Sequence, residues 1–234
     1  MKRSKQLLGA VSTIALIAFS ASPALAGGST AGSSITNNVS VSFDVGGVTQ
    51  TAVTASNTFT VDRKIDVLVD FAGTAATSVA PGAQNQVLAF DVTNLSNAVV
   101  DIRLAAALNA GNAANIANFE VYRDTNGDRS LSAAELAAGP ITYLDEVAAD
   151  GTVAVIVIAD IGLGAVNGNE FDVVLTGTAR EGGTAGTQGA AITQTAGANT
   201  AGVDTVFTDG AGTTDAARDG AYSDVGKYVV AGAT

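Results

Sequence analysis

The run Asn38-Val-Ser-Val-Ser-Phe-Asp-Val45 decides the fold class. Val39, Val41, Phe43 and Val45 fall on one side and Ser40, Ser42 and Asp44 on the other. That period of two specifies a strand with one buried face. Gly46-Gly47 follows, a pair suited to the positive φ of a hairpin turn, and Val48 to Thr54 reads as the return strand. Working outward, the same grammar recurs. Asn57 to Val61, Ile65 to Phe71, Gln86 to Thr93, Val99 to Leu104, Phe119 to Tyr122, Thr142 to Leu144, Phe171 to Thr178 and Val225 to Val230 read as strands. Turn chemistry sits between them at Pro81-Gly82, Asn94 to Asn97, Asp150-Gly151 and Asn167-Gly168. Thr152 to Ile158 is a near-continuous β-branched run and predicts a central strand covered on both faces.

Two segments break the pattern. Ala105 to Asn118 is Ala- and Asn-rich and predicts a loop with one helical turn, and Ser132 to Ala138 predicts a short helix stopped by Gly139-Pro140. With no alternation of helix and strand, the expected fold is all-β: an antiparallel immunoglobulin-like β-sandwich with less than about 15% helix. Residues 181–234 form a separate unit, a Gly/Ala/Thr-rich extension ending in a strand. Its stretch from Glu181 to Gly220 has few large apolar residues and predicts a long irregular excursion. The terminal strand can pair within its own sheet or add to a neighbour's edge.

The first 26 residues stand apart. Met1-Lys-Arg-Ser-Lys5 is basic, Leu7 to Phe19 is apolar, and Pro23-Ala-Leu-Ala26 is a small-residue cleavage pattern. This is the layout of a secretory signal peptide, and it leaves 27–180 as the β-sandwich domain. No Cys follows the apolar run, so a lipid anchor is excluded, and no later stretch is apolar enough to span a bilayer as a helix. Cleavage would remove Lys2, Arg3 and Lys5 but no acid, leaving eight basic against 22 acidic side chains and a net charge of −14. Such a chain repels nucleic acid and anionic lipid and gathers cations. The expected location is secreted or at the cell surface.

The chain has no Cys and no His. Disulfides cannot hold the fold, and His-dependent nucleophilic sites are impossible, so no enzyme is expected. Any metal must be bound by oxygen.

Oxygen-bearing side chains gather in Asp124-Thr-Asn126-Gly-Asp128-Arg-Ser130-Leu-Ser132-Ala-Ala-Glu135. They occupy positions 1, 3, 5, 7, 9 and 12 of a calcium loop, with Leu131 at the apolar position 8. Asp124, Asn126, Asp128, Ser130, Ser132 and Glu135 are therefore the candidate metal ligands. Calcium is the expected ion, held weakly at about 10⁻⁴–10⁻³ M. Two features depart from the pattern: Arg129 stands where Gly is usual, and a strand rather than a helix precedes the loop. The competing reading is a polar turn, with Ser132-Ala-Ala-Glu135 as a helix capping box.

The other acidic groups read as solvated charge. Asp145 with Glu146, and Asp62 with Asp66, lack a predicted cleft between them. Asp204, Asp209, Asp215, Asp219 and Asp224 are spaced along the Gly-rich region, as a solvated acidic loop or as oxygens ordered around a second cation.

Asn38 to Val45 with Gly46-Gly47, Ser56-Asn57-Thr58, Val79-Ala-Pro81-Gly82, Phe90-Asp-Val-Thr-Asn94 and the Asp124 loop occur in that order. Over about residues 30–180 this resembles the bacterial conserved-repeat surface-domain proteins, a family of immunoglobulin-like sandwiches without an assigned activity. The resemblance implies a structural or adhesive role outside the cell, with other surface proteins, glycans or the protein itself as partners. An extracellular binding module for a glycan or small ligand is the alternative.

Overall fold

The computed structural model describes residues 28–232. The signal-peptide reading of residues 1–26 lies outside the described residues. The structure is almost all β, with 49% strand and 4% helix, in agreement with the expected all-β sandwich.

The chain opens with a ribbon: β1 (Ser34–Val41), the tip strands β2 (Asp44–Val45) and β3 (Val48–Thr49), and β4 (Val53–Thr60). The sandwich follows with β5 (Arg63–Ile65), β6 (Val67–Phe71), β7 (Thr77–Val79), β8 (Gln86–Asn94), β9 (Val100–Ala110) and β10 (Ile116–Arg123). Then come α1 (Ala133–Ala138), β11 (Tyr143–Val147), β12 (Thr152–Ile161), β13 (Glu170–Glu181), β14 (Thr205–Phe207) and β15 (Ala221–Val230). One sheet has the order β10-β12-β8-β6, and the other β11-β9-β13-β15-β7. Pairing is antiparallel except for two short parallel joins, β7 with β15 and β5 with β14.

The core lies between the sheets because alternate residues of each strand point inward. Phe90, Phe171, Tyr228, Ile65, Leu88 and Ile102 are fully buried there. Phe71 and Phe90 meet in a tilted pair with centroids 5.4 Å apart. Tyr228 is buried to its hydroxyl, which donates to the Gln86 carbonyl at 2.6 Å, so the one polar atom of that ring is satisfied. Gly226 on β15 leaves room for this packing: a Cβ there would stand 2.8 Å from the Phe71 ring and 2.9 Å from Leu88.

β12 is the central, doubly covered strand its composition predicts. Val155 and Val157 face the main core. Ile156 and Ile158 face outward into a second cluster with Tyr122, Val87 and Leu131.

Other expectations need correction. Ala105 to Ala110 belongs to β9, and only Ala113–Asn115 forms a helical turn, a single 3₁₀ turn. Ala has no strong claim on a strand, but β9 lies between β11 and β13, and that pairing overrides local preference. Of the two pairings open to the C-terminal strand, the structure shows the first: β15 is seated between β13 and β7 of its own sheet. The face of Val39, Val41, Phe43 and Val45, expected to be buried, is exposed.

The excursion after Glu181 carries little regular structure, as expected, but it is tied down. Arg63 grips Glu181 with two hydrogen bonds of 2.6 and 2.9 Å and donates a third to Thr205. Two of its aspartates are withdrawn from solvent, while Asp215 is half-buried and Asp219 exposed. Asp204 and Asp209 are buried. Asp204 accepts from the Thr200 N–H and hydroxyl, Asp209 from the N–H groups of Asp219 and Gly220, and Asp224 from the Phe71 N–H. Asp215 accepts from the Gly212 N–H, and Asp219 from the Ala221 N–H. A strand-poor segment leaves many backbone donors without ladder partners, and these carboxylates supply them.

The turn at Asn94 to Asn97 works in the same way. Asn94, Ser96 and Asn97 are buried. Asn97 accepts from the Lys64 N–H and donates to the carbonyls of Ser29 and Asp62, which anchors the base of the ribbon.

Candidate metal centre

The loop of residues 124–135 leaves the end of β10 and lies over the outer face of the four-stranded sheet. The Asp124 N–H donates to the Ala154 carbonyl, continuing the β10–β12 ladder by one step. Leu131 then turns in to pack on Tyr122, Ile156 and Ile158, which fixes the loop's far side.

Between these anchors the chain winds around Asp124, which is buried. Its carboxylate accepts from the Gly127 N–H at 2.7 Å and the Arg129 N–H at 3.1 Å. Arg129 stands at the position that favours Gly and adopts its conformation, with φ 62°. Its guanidinium offsets that strain by a bidentate ion pair with Asp91 on β8, at 2.8 and 3.0 Å. Asn126 accepts from the Asp128 N–H and donates to its carboxylate. Asp128 accepts from the N–H and hydroxyl of Ser130, which hold its pKa below the ordinary value.

Glu135 acts differently. It caps α1 in a complete capping box with Ser132 and also reaches the start of the loop. One oxygen accepts from the N–H and hydroxyl of Thr125, the other from the N–H and hydroxyl of Ser132. The N–H groups of Ser132 and Thr125 are the leading causes that bring its pKa down to about 2.

A carboxylate has roughly four acceptor positions, and on Glu135 all four are filled. Asp124 receives two donors and Asp128 three, so each retains capacity. Asp124, Asn126 and Asp128 thus fit an oxygen-binding cation. Glu135 and the Ser132 hydroxyl are committed to each other, and Glu135 can ligate only by giving up donors. Its carboxylate links Thr125 to Ser132 and so closes the loop. Of the two sequence readings of this stretch, the structure shows the capping box, formed at its C-terminal end.

The depressed pKa gives a prediction. A carboxyl group whose pKa is lower in the folded state adds stability above its unfolded pKa, near 4.5, and loses it as pH falls through about 2. Glu135→Gln should flatten the fall of stability across that window. The measurement is the difference in denaturant midpoint between variant and parent from pH 5 to pH 2. Asp209, whose pKa is raised by burial, contributes with the opposite sign and cancels in that difference.

Sequence reasoning read Asp145 and Glu146 as solvated charge and missed Asp101, with which they form a second acidic group. Oxygens of Asp101, Asp145 and Glu146 lie within 4.8 Å of one another, the one such group of three among the described residues. Asp101, on β9, is fully buried and accepts from the N–H groups of Glu146 and Gly189. A bulge in β11 turns Glu146 to φ 48°, and its carboxylate accepts from the Gly183 and Thr184 N–H groups. Asp145 accepts from the Gly186 N–H. The three carboxylates gather the 183–189 loop by its backbone. Asp101 is flanked by Val100 and Ile102 in an ordinary strand pattern, so nothing in the sequence announces its role. Searches of protein-family models and of curated proteins find no match to this chain.

Proposed function

We propose that this is an exported, non-enzymatic structural or adhesive protein whose loop at 124–135 binds calcium weakly. The observation that supports the ion is the winding of the loop around Asp124, with Asn126 and Asp128 offering further oxygens and Arg129 held in the left-handed conformation of a calcium loop. Weak binding follows from Glu135, whose oxygens already serve four donors. The export and adhesion readings rest on the signal-like N-terminus, the acidic composition and the resemblance to the surface-domain proteins.

Ligand binding to the folded state alone raises stability by mass action. Millimolar calcium should therefore raise Tm by a few degrees, since about 1 kcal/mol shifts a domain of this size by ~2–4 °C. Asp128 is exposed, so Asp128→Ala should remove the rise while changing the metal-free Tm little. A Tm that stays constant from chelator to several millimolar calcium refutes the ion. Labelled antibody on intact cells, read by electron microscopy, tests the location.

A second reading has one observation behind it. A cleft of about 620 Å³ opens at the ribbon base, lined by Ile35, Phe59, Thr60, Asp62, Asn199 and Thr200. That size suits a small ligand or sugar unit. Robust binding by monomeric protein on a glycan array would favour this module over the structural role.

A further inference from the structure

The ribbon of β1 to β4 is the largest exposed apolar feature of the described residues. It holds seven of their thirteen exposed large hydrophobic side chains, including Val41 at 54% and Val48 at 63%. The register puts Ile35, Asn37, Val39 and Val41 opposite Phe59, Asn57, Ala55 and Val53 on one face. Thr36, Asn38 and Ser40 lie opposite Thr58, Ser56 and Thr54 on the other. One face is thus apolar but for the Asn37–Asn57 pair and the other hydroxyl-rich, yet both are open to solvent along almost their whole length. An isolated two-stranded ribbon is marginal in water.

Its charge is as unusual as its exposure. From Ser34 to Thr60 the only charged residue is Asp44, in a chain whose net charge is −11. The ribbon also lacks Lys, Arg and Pro, the residues that blunt a free sheet edge. Three of the four sandwich edges are guarded: β10 and β11 are bulged, and β7 is three residues long and followed by Pro81.

We infer that the apolar face of the ribbon packs against the same face of a second copy. The argument is one of charge and area. A neutral apolar face offers nothing to a charged partner, whereas two copies are complementary to each other there and repel elsewhere. Strand geometry makes the ribbon about 40 Å long and 10 Å wide. Two such faces, packed about a two-fold axis with the ribbons antiparallel, hold the acidic bodies about 40 Å apart, several Debye lengths at physiological salt. The contact buries on the order of 800–1,000 Å² in total, the size of a weak and reversible interface. A dissociation constant of about 10⁻⁴ M is expected. The contact involves no residue of the 124–135 loop, so chelation of calcium leaves it unchanged.

Sedimentation equilibrium of the chain from Gly27, which contains every described strand, should show a monomer–dimer equilibrium in that range. Val41→Thr with Val53→Thr keeps shape and strand preference while replacing methyls by hydroxyls. It should weaken the dimer at least tenfold and leave Tm and circular dichroism unchanged. The absence of native cysteine allows a second measurement: under mild oxidation Val41→Cys should cross-link into dimers and Ser40→Cys, on the opposite face, should not. A chain that stays monomeric at about 1 mM, ten times the expected constant, overturns the proposal. So does a dimer indifferent to the Thr substitutions, equal cross-linking from both faces, or an apolar face that takes up lipid vesicles in place of a second copy.

Discussion

A chain ending at Gly220 should fail to fold. The cut removes β15, which pairs with β13 over nine registered positions from Glu170↔Val229 to Thr178↔Ala221 and with β7 on its other side. Tyr228 and Val230 leave the core with it, and the ring of Phe71 and the side chain of Leu88 lose the backbone of Gly226. Loss of a single large buried aromatic side chain costs about 3–5 kcal/mol. That is already a large part of the ~5–15 kcal/mol by which a domain is stable, and the ladder is lost as well. Urea titration of the truncated chain by circular dichroism should show no cooperative transition. A truncated chain that still unfolds cooperatively would mean that β15 is an accessory to this sandwich, free to serve another sheet.

The second large effect is expected at Asp101. Its carboxylate is fully buried and is the acceptor for the N–H groups of Glu146 and Gly189. Asp101→Ala orphans both donors, at about 1–3 kcal/mol each when a buried partner is left unmade. A loss of about 3 kcal/mol follows, read from the denaturant midpoint. Because Gly189 belongs to the 183–189 loop, limited proteolysis should open that loop first, before the sandwich unfolds. Asp101→Asn retains one acceptor oxygen and should recover part of the loss. If Asp101→Ala is as stable as the parent and its loop resists protease, the carboxylate cluster is dispensable for holding this segment.

Strands were legible in the sequence wherever burial and alternation coincide. Thr152 to Ile158 is the plainest case, because a run of β-branched residues has few uses other than a strand covered on both faces. The ribbon shows the limit of that reasoning. Alternation states that the two faces of a strand differ; it does not state that one of them is covered. Val39 and Val41 were therefore placed correctly in a strand and incorrectly in the core. The metal candidate divides in a similar way. The capping box of Ser132 and Glu135 is local and follows from spacing. That Glu135 also holds Thr125 depends on the loop closing over ten residues, which spacing alone does not specify. The roles of Asp101, Asp204 and Asp209 were hidden for another reason: their partners are mainly backbone N–H groups, which every residue but proline carries, so no side-chain pattern advertises them.

The two parallel joins bear on when this chain can fold. β5 and β7 lie near the start of the sandwich, yet their partners β14 and β15 come near its end; Thr77 is registered with Tyr228, about 150 residues away. Neither join can form until the chain has been made as far as β14 and β15. Contacts of such long sequence separation slow folding, because the loop-closure entropy falls due before the contacts form. In most proteins that delay is a hazard, since unfinished sheets expose their edges. Under the export route proposed for this chain it becomes an advantage. A polypeptide threaded through a membrane must not acquire tertiary structure beforehand, and on that route the two joins would withhold it until β14 and β15 had been made.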